Sequence, residues 1–464
     1  MSVAVVLLAC FNITFRLGRE SVGEWDESLY ATTAWEMTQS GNLIATTLDG
    51  TLDYYNSKPP LNVWLIAVAI KWFDIGLVAL RVPSASAAVL TVVIFLWWAR
   101  RWFGTSVSVV AGTVLATSFG YLHIHAARSG NPDSILTLLM LLVVVVLSDV
   151  PTAPWRRVWL GPLLGAVFLL KGMAVLQPML LVGLFEALVR GARRRWLPLS
   201  VAATTTAAIV GAWALLRWQV DQWHFLRAIV GNDFLALSLT QLEGHNTGLL
   251  FYLGVLQRYQ YEWLIAAVAA IGLTWRSCLQ HLSVFTAQLR ERQPLPIVIT
   301  SWAVATLAVP TAMQTRLAWY LTPFYPLFAL LVGLAIVGAL SELQGSDRRR
   351  MALVVLVLVT LVGAESRSLW RLYKVTDLET SVQGLLMHHV RPHSGQRVYR
   401  DRPSRAEGFV VRAILESEFS VEHSLAARPV SARPGDLVVV GVDDAIPGLT
   451  LLARRDGYSI HVVD

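Results

Sequence analysis

Eleven apolar runs, most of them close to the length of a membrane-crossing helix, leave this chain few folds to choose from. A bilayer-spanning helix needs about 20 mostly apolar residues. The runs lie at 1–17, 83–99, 104–122, 134–150, 158–170, 174–190, 198–217, 260–275, 297–311, 320–340 and 351–370. The chain is 55% hydrophobic and only 15% charged, whereas a soluble domain carries about 25% charged residues. A polytopic membrane protein is therefore the expected class, and 18 tryptophans suit it, since tryptophan collects at membrane–water interfaces. The runs at 158–170 and 174–190 are short and flank Lys171-Gly172, so they are expected not to cross completely. The first run lacks a basic leader and a small-residue cleavage site, and reads as a short first span rather than a cleavable signal.

The charge distribution gives an orientation. Alternate short loops carry Arg100-Arg101, Arg156-Arg157, Arg193-Arg194-Arg195, Arg276 with Arg290 and Arg292, and Arg348-Arg349-Arg350. By the positive-inside rule these loops are cytoplasmic. The segment 17–81, the turn 123–133, the loop 218–259, the turn 312–319 and the tail from about 371 then lie outside. The net charge of +7 is accounted for by these loops, so no nucleic-acid partner is expected. Cys10 and Cys278 are too isolated for a metal site or a disulfide framework and are read as inert.

Two domains are expected: a membrane domain over 1–370, with a first external loop at 17–82, and a small soluble α/β domain over 371–464. The tail is charged and mixed, with β-rich runs at 437–441 and 457–463 and a helix-like stretch at 405–417. A core that small is marginal alone, so the tail is expected to rest on the membrane domain.

The first external loop is the most informative stretch. It begins Glu24-Trp25-Asp26-Glu27-Ser28-Leu29-Tyr30 and continues through Ser40-Gly41, Asp49-Gly50 and Lys58-Pro59-Pro60-Leu61. Residues 61–74 suit a helix lying on the membrane surface. A carboxylate near a low-dielectric boundary, supported by a cation, metal or donor, is a usable general base. Taken singly, Asp26 and Glu27 read rather as solvated acids beside a helix end, and Lys58-Pro59-Pro60 reads also as a rigid turn before a helix.

The ordered set is more specific. Asp26-Glu27-x-x-Tyr30, Ser40-Gly41, Asp49-Gly50, Lys58-Pro59-Pro60-Leu61-x-x-Trp64 and Arg81-x-Pro83-Ser84 follow one another as in a known family. So do Ala127-Arg128-Ser129-Gly130-Asn131-Pro132-Asp133, Leu170-Lys171-Gly172 and Arg316-x-x-x-Tyr320-Leu321-x-Pro323-x-x-Pro326. The set, over roughly residues 1–340, resembles the polyprenyl-phosphate-sugar transferases of the protein O-mannosyltransferase type. It is most similar to the bacterial transferases that move aminoarabinose onto lipid A. The resemblance implies a GT-C fold: an all-α bundle of about eleven to thirteen spans, with amphipathic juxtamembrane helices and the small external α/β domain.

It also implies an integral-membrane glycosyltransferase of the cytoplasmic (inner) membrane. Such an enzyme takes a sugar from a polyprenyl phosphate and passes it, with inversion, to a lipid, glycan or exported protein. Asp26 becomes the candidate catalytic residue and Asp133 the second acidic position. Lys58, Lys171 and Arg316 become the candidate ligands of the donor phosphate, with Tyr320 and Arg128 beside them. Glu27, Tyr30, Arg81 and His245 are substrate-pocket candidates. A lysine deep in apolar sequence, such as Lys171, is a functional candidate by default, against the plainer reading of a residue that snorkels to the interface. Tyr320 reads equally as an interfacial belt residue, and Arg128 with Asp133 as an ion pair closing a turn. The family's glutamate before the loop lysine is replaced by Ser57, so an acid's role there does not carry over. A divalent ion shared by Asp26 and Asp133 stays open, since hard metals need more oxygen ligands than these two supply. His123 and His125 alternate, which puts them on different sides of a helix and argues against a shared metal. The rival readings are a transporter or flippase of lipid-linked sugars and a GT-C oligosaccharide ligase.

Overall fold

The computed structural model describes residues 2–189, 196–236, 248, 250–374, 377–422, 429, 431–441, 447–455 and 457–464. The arginines at 193–195 and His245 lie outside the described residues. Helices form where the apolar runs stand. They are α1 (Ser2–Thr14), α2 (Asp26–Ser40), α3 (Leu61–Phe73), α4 (Leu77–Ala116), α5 (Phe119–His123), α6 (Asp133–Asp149), α7 (Leu160–Lys171) and α8 (Leu176–Leu188). Next come α9 (Trp196–Asp221), α10 (His224–Ala228), α11 (Phe251–Leu273), α12 (Trp275–Arg290), α13 (Pro294–Ala312), α14 (Tyr325–Glu342) and α15 (Asp347–Lys374). The chain is a multi-pass membrane protein with a GT-C-type helical architecture.

Among the described residues, seven helical segments are long and apolar enough to cross a membrane, and eight if the bent pair α11–α12 counts as one. The expectation of eleven to thirteen spans is larger, and the difference has physical causes. Leu77–Ala116 registers as one segment but doubles back at Gly104, whose backbone is non-helical. Ser108 Oγ donates to Leu96 O at 2.8 Å, whereas twelve residues of continuous helix would separate them by about 18 Å. The segment Pro154–Leu188 doubles back in the same way at Gly172. Arg157 Nε meets Glu186 Oε1 at 2.7 Å although the two are 29 positions apart in the chain. Lys171 therefore stands at the tip of a hairpin whose α-helical legs are each about 20 Å long. A hydrocarbon core is about 30 Å thick. Helix α6, at 17 residues, falls just under the length of a full span.

Two compact units emerge. One comprises Met1–Phe15, Asp53–Asn62 and Ser84–Ser368; the other comprises Arg16–Leu52, Val63–Pro83 and Leu369–Asp464. In the first unit the ends of α6 differ in kind. Its Asp149 end pairs with Arg101 at 2.9 Å and with Arg156, while its Asp133 end pairs with Lys171 at 2.5 Å. Close packing holds α5 in place here. A methyl group at Gly120 would lie 2.0 Å from Tyr325 Oη and 3.2 Å from Gln260 Nε2. Gly120→Ala is expected to destabilise the protein by about 1–3 kcal/mol, read as an early thermal transition in detergent. An unshifted transition would contradict this packing.

The second unit joins most of the first external loop to the tail. Its sheet has the order β4–β3–β5–β7–β6, built from β3 (Arg397–Arg400), β4 (Glu418–Val421), β5 (Leu437–Val440), β6 (Leu449–Arg455) and β7 (Tyr458–Val463). Strand β3 is parallel to β4 and β5, and β7 is antiparallel to β5 and β6. The expected strands at 437–441 and 457–463 are present, and the helix-like stretch is α-helical only over Arg405–Phe409 before a wider π turn. One hydrophobic core runs through Tyr30, Ala31 and Ala34 of α2, Val63 and Ile66 of α3, Leu80, and Phe409, Val411, Val439 and Ile460 of the tail. The sheet does not carry that core alone, as its small size requires. Helix α3 buries Val63 and Ile66 and exposes Val68, Trp72 and Phe73, the two-faced character expected of a surface helix.

Candidate active site

The first unit collects most of the expected cations. Lys171 Nζ donates to Asp133 Oδ1 at 2.5 Å and stands 5.5 Å from the Tyr320 ring centre. Asp133 opens α6 and is buried. A helix N-terminus favours a carboxylate, and the ammonium beside it completes the pair. Arg316 lies four residues before Tyr320 and is also buried. Its Nε and Nη2 donate to Thr311 O at 3.1 and 2.7 Å. Its Nη1 is buried and, among the described residues, has no hydrogen-bond partner. A buried guanidinium nitrogen without an acceptor is costly to leave so, which makes it a ready donor to an anion.

Lys58 sits on a short segment that is pinned at several points. Asp53 Oδ1 accepts from the backbone N–H groups of Tyr55 and Asn56 at 2.8 and 3.1 Å, an Asx turn. Lys58 Nζ donates to Asn56 Oδ1 at 3.3 Å. Asn62 Nδ2 donates to Gly130 O at 3.0 Å, tying this segment to the turn that bears Asp133. Burial, and then the carboxylate of Asp221, push the Tyr54 phenol up. Asp53 Oδ2 is buried without a hydrogen-bond partner among the described residues. Asp53 was not singled out from the sequence, although the Asp-x-Tyr-Asn pattern carries the turn signal. His125, argued above not to share a metal with His123, stacks on Trp319 at 3.8 Å and contacts Asn131 Nδ2 at 3.2 Å. A groove of about 430 Å³, lined largely by apolar groups with Arg258 and Tyr259, reaches Ala318 between Arg316 and Tyr320.

Other expected residues are placed differently. Arg128 is buried and donates to the carbonyls of Asn12, Ile13 and Phe15 at 2.7–2.9 Å. It caps the C-terminal end of α1, where carbonyls lack helical partners; three of its hydrogen-bond donors are committed there and not to a phosphate. Asp26, Glu27, Tyr30 and Arg81 belong to the second unit. Asp26 is half-buried in the first turn of α2. Tyr30 is buried in the hydrophobic core. Glu27 and Arg81, expected to face a substrate, face each other instead. Arg81 Nε donates to Glu27 Oε1 at 2.8 Å, Nη1 to Leu17 O and Glu20 O at 2.8 Å each, and Nη2 to Ser21 O at 2.9 Å and Glu27 Oε2 at 3.2 Å. All five guanidinium N–H groups are used, so none is left for a ligand. Glu27 Oε2 also accepts from Gly23 N at 2.8 Å, which anchors the chain just ahead of Asp26.

Among the described residues no three His, Cys, Asp or Glu side chains converge to hold a metal ion. Asp133 is balanced by the Lys171 ammonium, so it offers a cation little uncompensated charge.

The chain is similar in sequence and in fold to known proteins. Residues 57–218 match the family of dolichyl-phosphate-mannose-protein mannosyltransferases. The undecaprenyl phosphate-alpha-4-amino-4-deoxy-L-arabinose arabinosyl transferase of Pseudomonas aeruginosa is 27% identical over 390 residues, 78% of this chain and 65% of that protein. A Pseudomonas fluorescens transferase of the same name is 26% identical over 76% of this chain and 59% of its own length. The chain thus matches somewhat under two thirds of the length of these curated relatives. The structure of ArnT from Cupriavidus metallidurans bound to undecaprenyl phosphate superposes with a TM-score of 0.70 at 16% identity, covering 99% of this chain and 97% of that one. The Archaeoglobus fulgidus oligosaccharyltransferase AglB, in complex with an inhibitory peptide and a dolichol-phosphate, gives a TM-score of 0.52 at 14% identity over 90% of this chain and 64% of its own. The chain thus has the GT-C fold, and its sequence is similar to those of protein O-mannosyltransferases and aminoarabinose transferases.

Proposed function

We propose that the chain is an integral-membrane glycosyltransferase that moves a sugar from a polyprenyl-phosphate donor to a lipid, glycan or protein acceptor. The reaction takes place on the extracytoplasmic face of the cytoplasmic membrane. The observation that carries this reading lies in the first unit: Lys171 is held by Asp133 beside Tyr320, and a buried nitrogen of Arg316 has no hydrogen-bond partner among the described residues. Lys58, Lys171 and Arg316 bind the donor phosphate, with Tyr320 beside it. Asp133 acts through Lys171, as a positioning residue. The apolar groove that reaches Ala318 takes the start of the polyprenyl tail. The relatives named for undecaprenyl phosphate aminoarabinose transfer, and the ArnT structure bound to undecaprenyl phosphate, support the choice of donor.

The chemistry needs one base. Asp26 takes the proton from the acceptor hydroxyl as that oxygen bonds to the anomeric carbon. The bond from this carbon to the phosphate oxygen breaks on the opposite face, and its electron pair leaves with the phosphate. The products are the glycosylated acceptor, the polyprenyl phosphate and a protonated Asp26. Phosphate leaves without a proton, so no carboxylic acid is required of the kind glycosidases use. Fixed cations stabilise the charge that grows on the leaving group, and more strongly where water is excluded. The orientation rests on the arginine loops. Asp149 with Arg101 and Arg156 marks the cytoplasmic end of α6, and Asp133 with Lys171 the external end.

Binding of undecaprenyl phosphate to the purified protein tests the donor assignment. Arg316→Ala removes charge-assisted hydrogen bonds worth about 1.5–3 kcal/mol, so the dissociation constant is expected to rise about 10- to 100-fold. Equal affinity in the wild type and the variant would remove Arg316 from the phosphate site. No binding by the wild type would end the donor reading.

A further inference from the structure

We propose that a groove in the second unit, between α2, the Asp49-Gly50 turn and the tail, binds one neutral monosaccharide ring of the acceptor. This takes from the glycosyltransferase reading only that the sugar belongs to an acceptor.

The Asp49-Gly50 motif has no part in the chemistry above, yet the fold holds it firmly. The strands β1 (Thr47–Leu48) and β2 (Thr51–Leu52) pair Thr47 with Leu52 and Leu48 with Thr51. Asp49 and Gly50 form the two-residue loop, both with positive φ, +54° and +75°. That is the signature of a type I′ hairpin turn, for which Asp-Gly is a preferred pair. Glu36 of α2 accepts from Thr47 Oγ1 at 2.5 Å and from Gly50 N at 3.2 Å, fixing the turn to the helix. The Asp49 carboxylate then pairs with Arg412 of the tail. Both partners are partly exposed, and an ion pair of that kind contributes little to stability. Stability alone therefore gives little reason for so constrained a turn.

The pair lines a cavity of about 180 Å³ together with Thr32 and Trp35 of α2 and Phe409 and Phe419 of the tail. That is the space of about six waters, suited to one ring-sized solute and too small for a helix. A pyranose presents C–H groups on its faces and hydroxyls around its edge. Aromatic rings suit the faces. A carboxylate that only accepts, beside a guanidinium that only donates, suits two neighbouring hydroxyls. Because Asp49 balances Arg412, and the Glu24 carboxylate accepts from the backbone N–H of Arg405, the other cation of the lining, the groove favours a neutral ring over a phosphate, which would call for uncompensated cations. Trp35 lies nine residues beyond Asp26 on the same helix, about 14 Å along its axis. A ring in the groove is thus not the one whose hydroxyl reacts, but a neighbouring unit that holds the acceptor.

Saturation-transfer NMR on the full-length protein in detergent tests this, with glucose, galactose, mannose and N-acetylglucosamine as probes and glucose 6-phosphate as comparator. At least one neutral sugar is expected to receive saturation through its ring C–H protons. Trp35→Ala and Arg412→Ala are each expected to weaken binding by about tenfold. Asp49→Asn keeps a residue suited to the left-handed turn and removes only the carboxylate, and is expected to weaken the sugar signal with an unchanged melting temperature. The proposal is overturned by no transfer from any neutral sugar, by a preference for glucose 6-phosphate, or by signals that survive in all three variants. Undecaprenyl phosphate binding, measured on the same preparation, reports separately on the donor reading. Its absence would sink that reading and leave the sugar result standing.

Discussion

Asp26→Asn is expected to reduce the rate of sugar transfer by about 10²- to 10⁴-fold, the range associated with loss of a positioned general base. Asparagine keeps the size and hydrogen-bonding capacity of the side chain but does not take a proton. Donor affinity should stay close to that of the wild type, because the residues assigned to the phosphate are Lys58, Lys171 and Arg316. The fold should tolerate the change. Asp26 is half-buried in the first turn of α2, and losing a charge there removes a helix-dipole interaction of about 0.3–1 kcal/mol. The measurement is transfer from an undecaprenyl-phosphate-linked sugar by purified protein in detergent, with donor binding followed in parallel. Detergent also separates transfer from transport, since no compartment is present. A variant that turns over within about threefold of the wild type, well short of the loss expected for a base, would strip Asp26 of its role.

Arg81→Leu is expected to destabilise the protein by about 3–5 kcal/mol, because it leaves Glu27 buried and uncompensated. It also strands the carbonyls of Leu17, Glu20 and Ser21, each of which accepts from the Arg81 guanidinium. Arg81→Lys should restore only part of this, since a single ammonium does not reproduce the planar fork that reaches a carboxylate and three carbonyls. The double variant Glu27→Leu/Arg81→Leu should be less damaged than Arg81→Leu, because it removes both buried charges together. Chemical unfolding in detergent, with limited proteolysis of the segment ahead of α2, would follow the effect. A change below about 0.5 kcal/mol, ordinary for a surface position, would show that Arg81 is not the clamp described here. Any loss of transfer activity in Arg81→Leu should accompany the stability loss, whereas in Asp26→Asn the two should separate.

Much of the membrane architecture was legible in the sequence, because each helix must bury its backbone polar groups within itself and so declares itself as an apolar run. The runs 83–99 and 104–122, parted at Arg100-Arg101, were legible as two spans, and the contact between Ser108 and Leu96 shows the chain doubling back between them. The tail strands at Leu437–Val440 and Tyr458–Val463 were visible as apolar β-rich runs. Arg397–Arg400, Glu418–Val421 and Leu449–Arg455 were not, since charged or polar residues break their pattern. The ordered motifs pointed to the residues of the candidate site but not to their partners. Arg128 sits inside a motif that suggested a phosphate ligand, yet its donors serve the end of α1. Glu27 and Arg81, 54 residues apart, pair in a way no local pattern announces.

The sequence by itself determined that the chain crosses a membrane, which loops carry the arginines, and which acids and cations recur in the order of a known family. These are properties of composition and spacing, set residue by residue along the chain. Only the tertiary structure decided which of those charges are spent on one another and which are left over. The pairing of Lys171 with Asp133, the saturation of Arg81 and the Arg316 nitrogen left without a hydrogen-bond partner among the described residues each depend on which atoms come within about 3 Å of one another, the reach of a hydrogen bond. Spacing along the chain does not encode that distance.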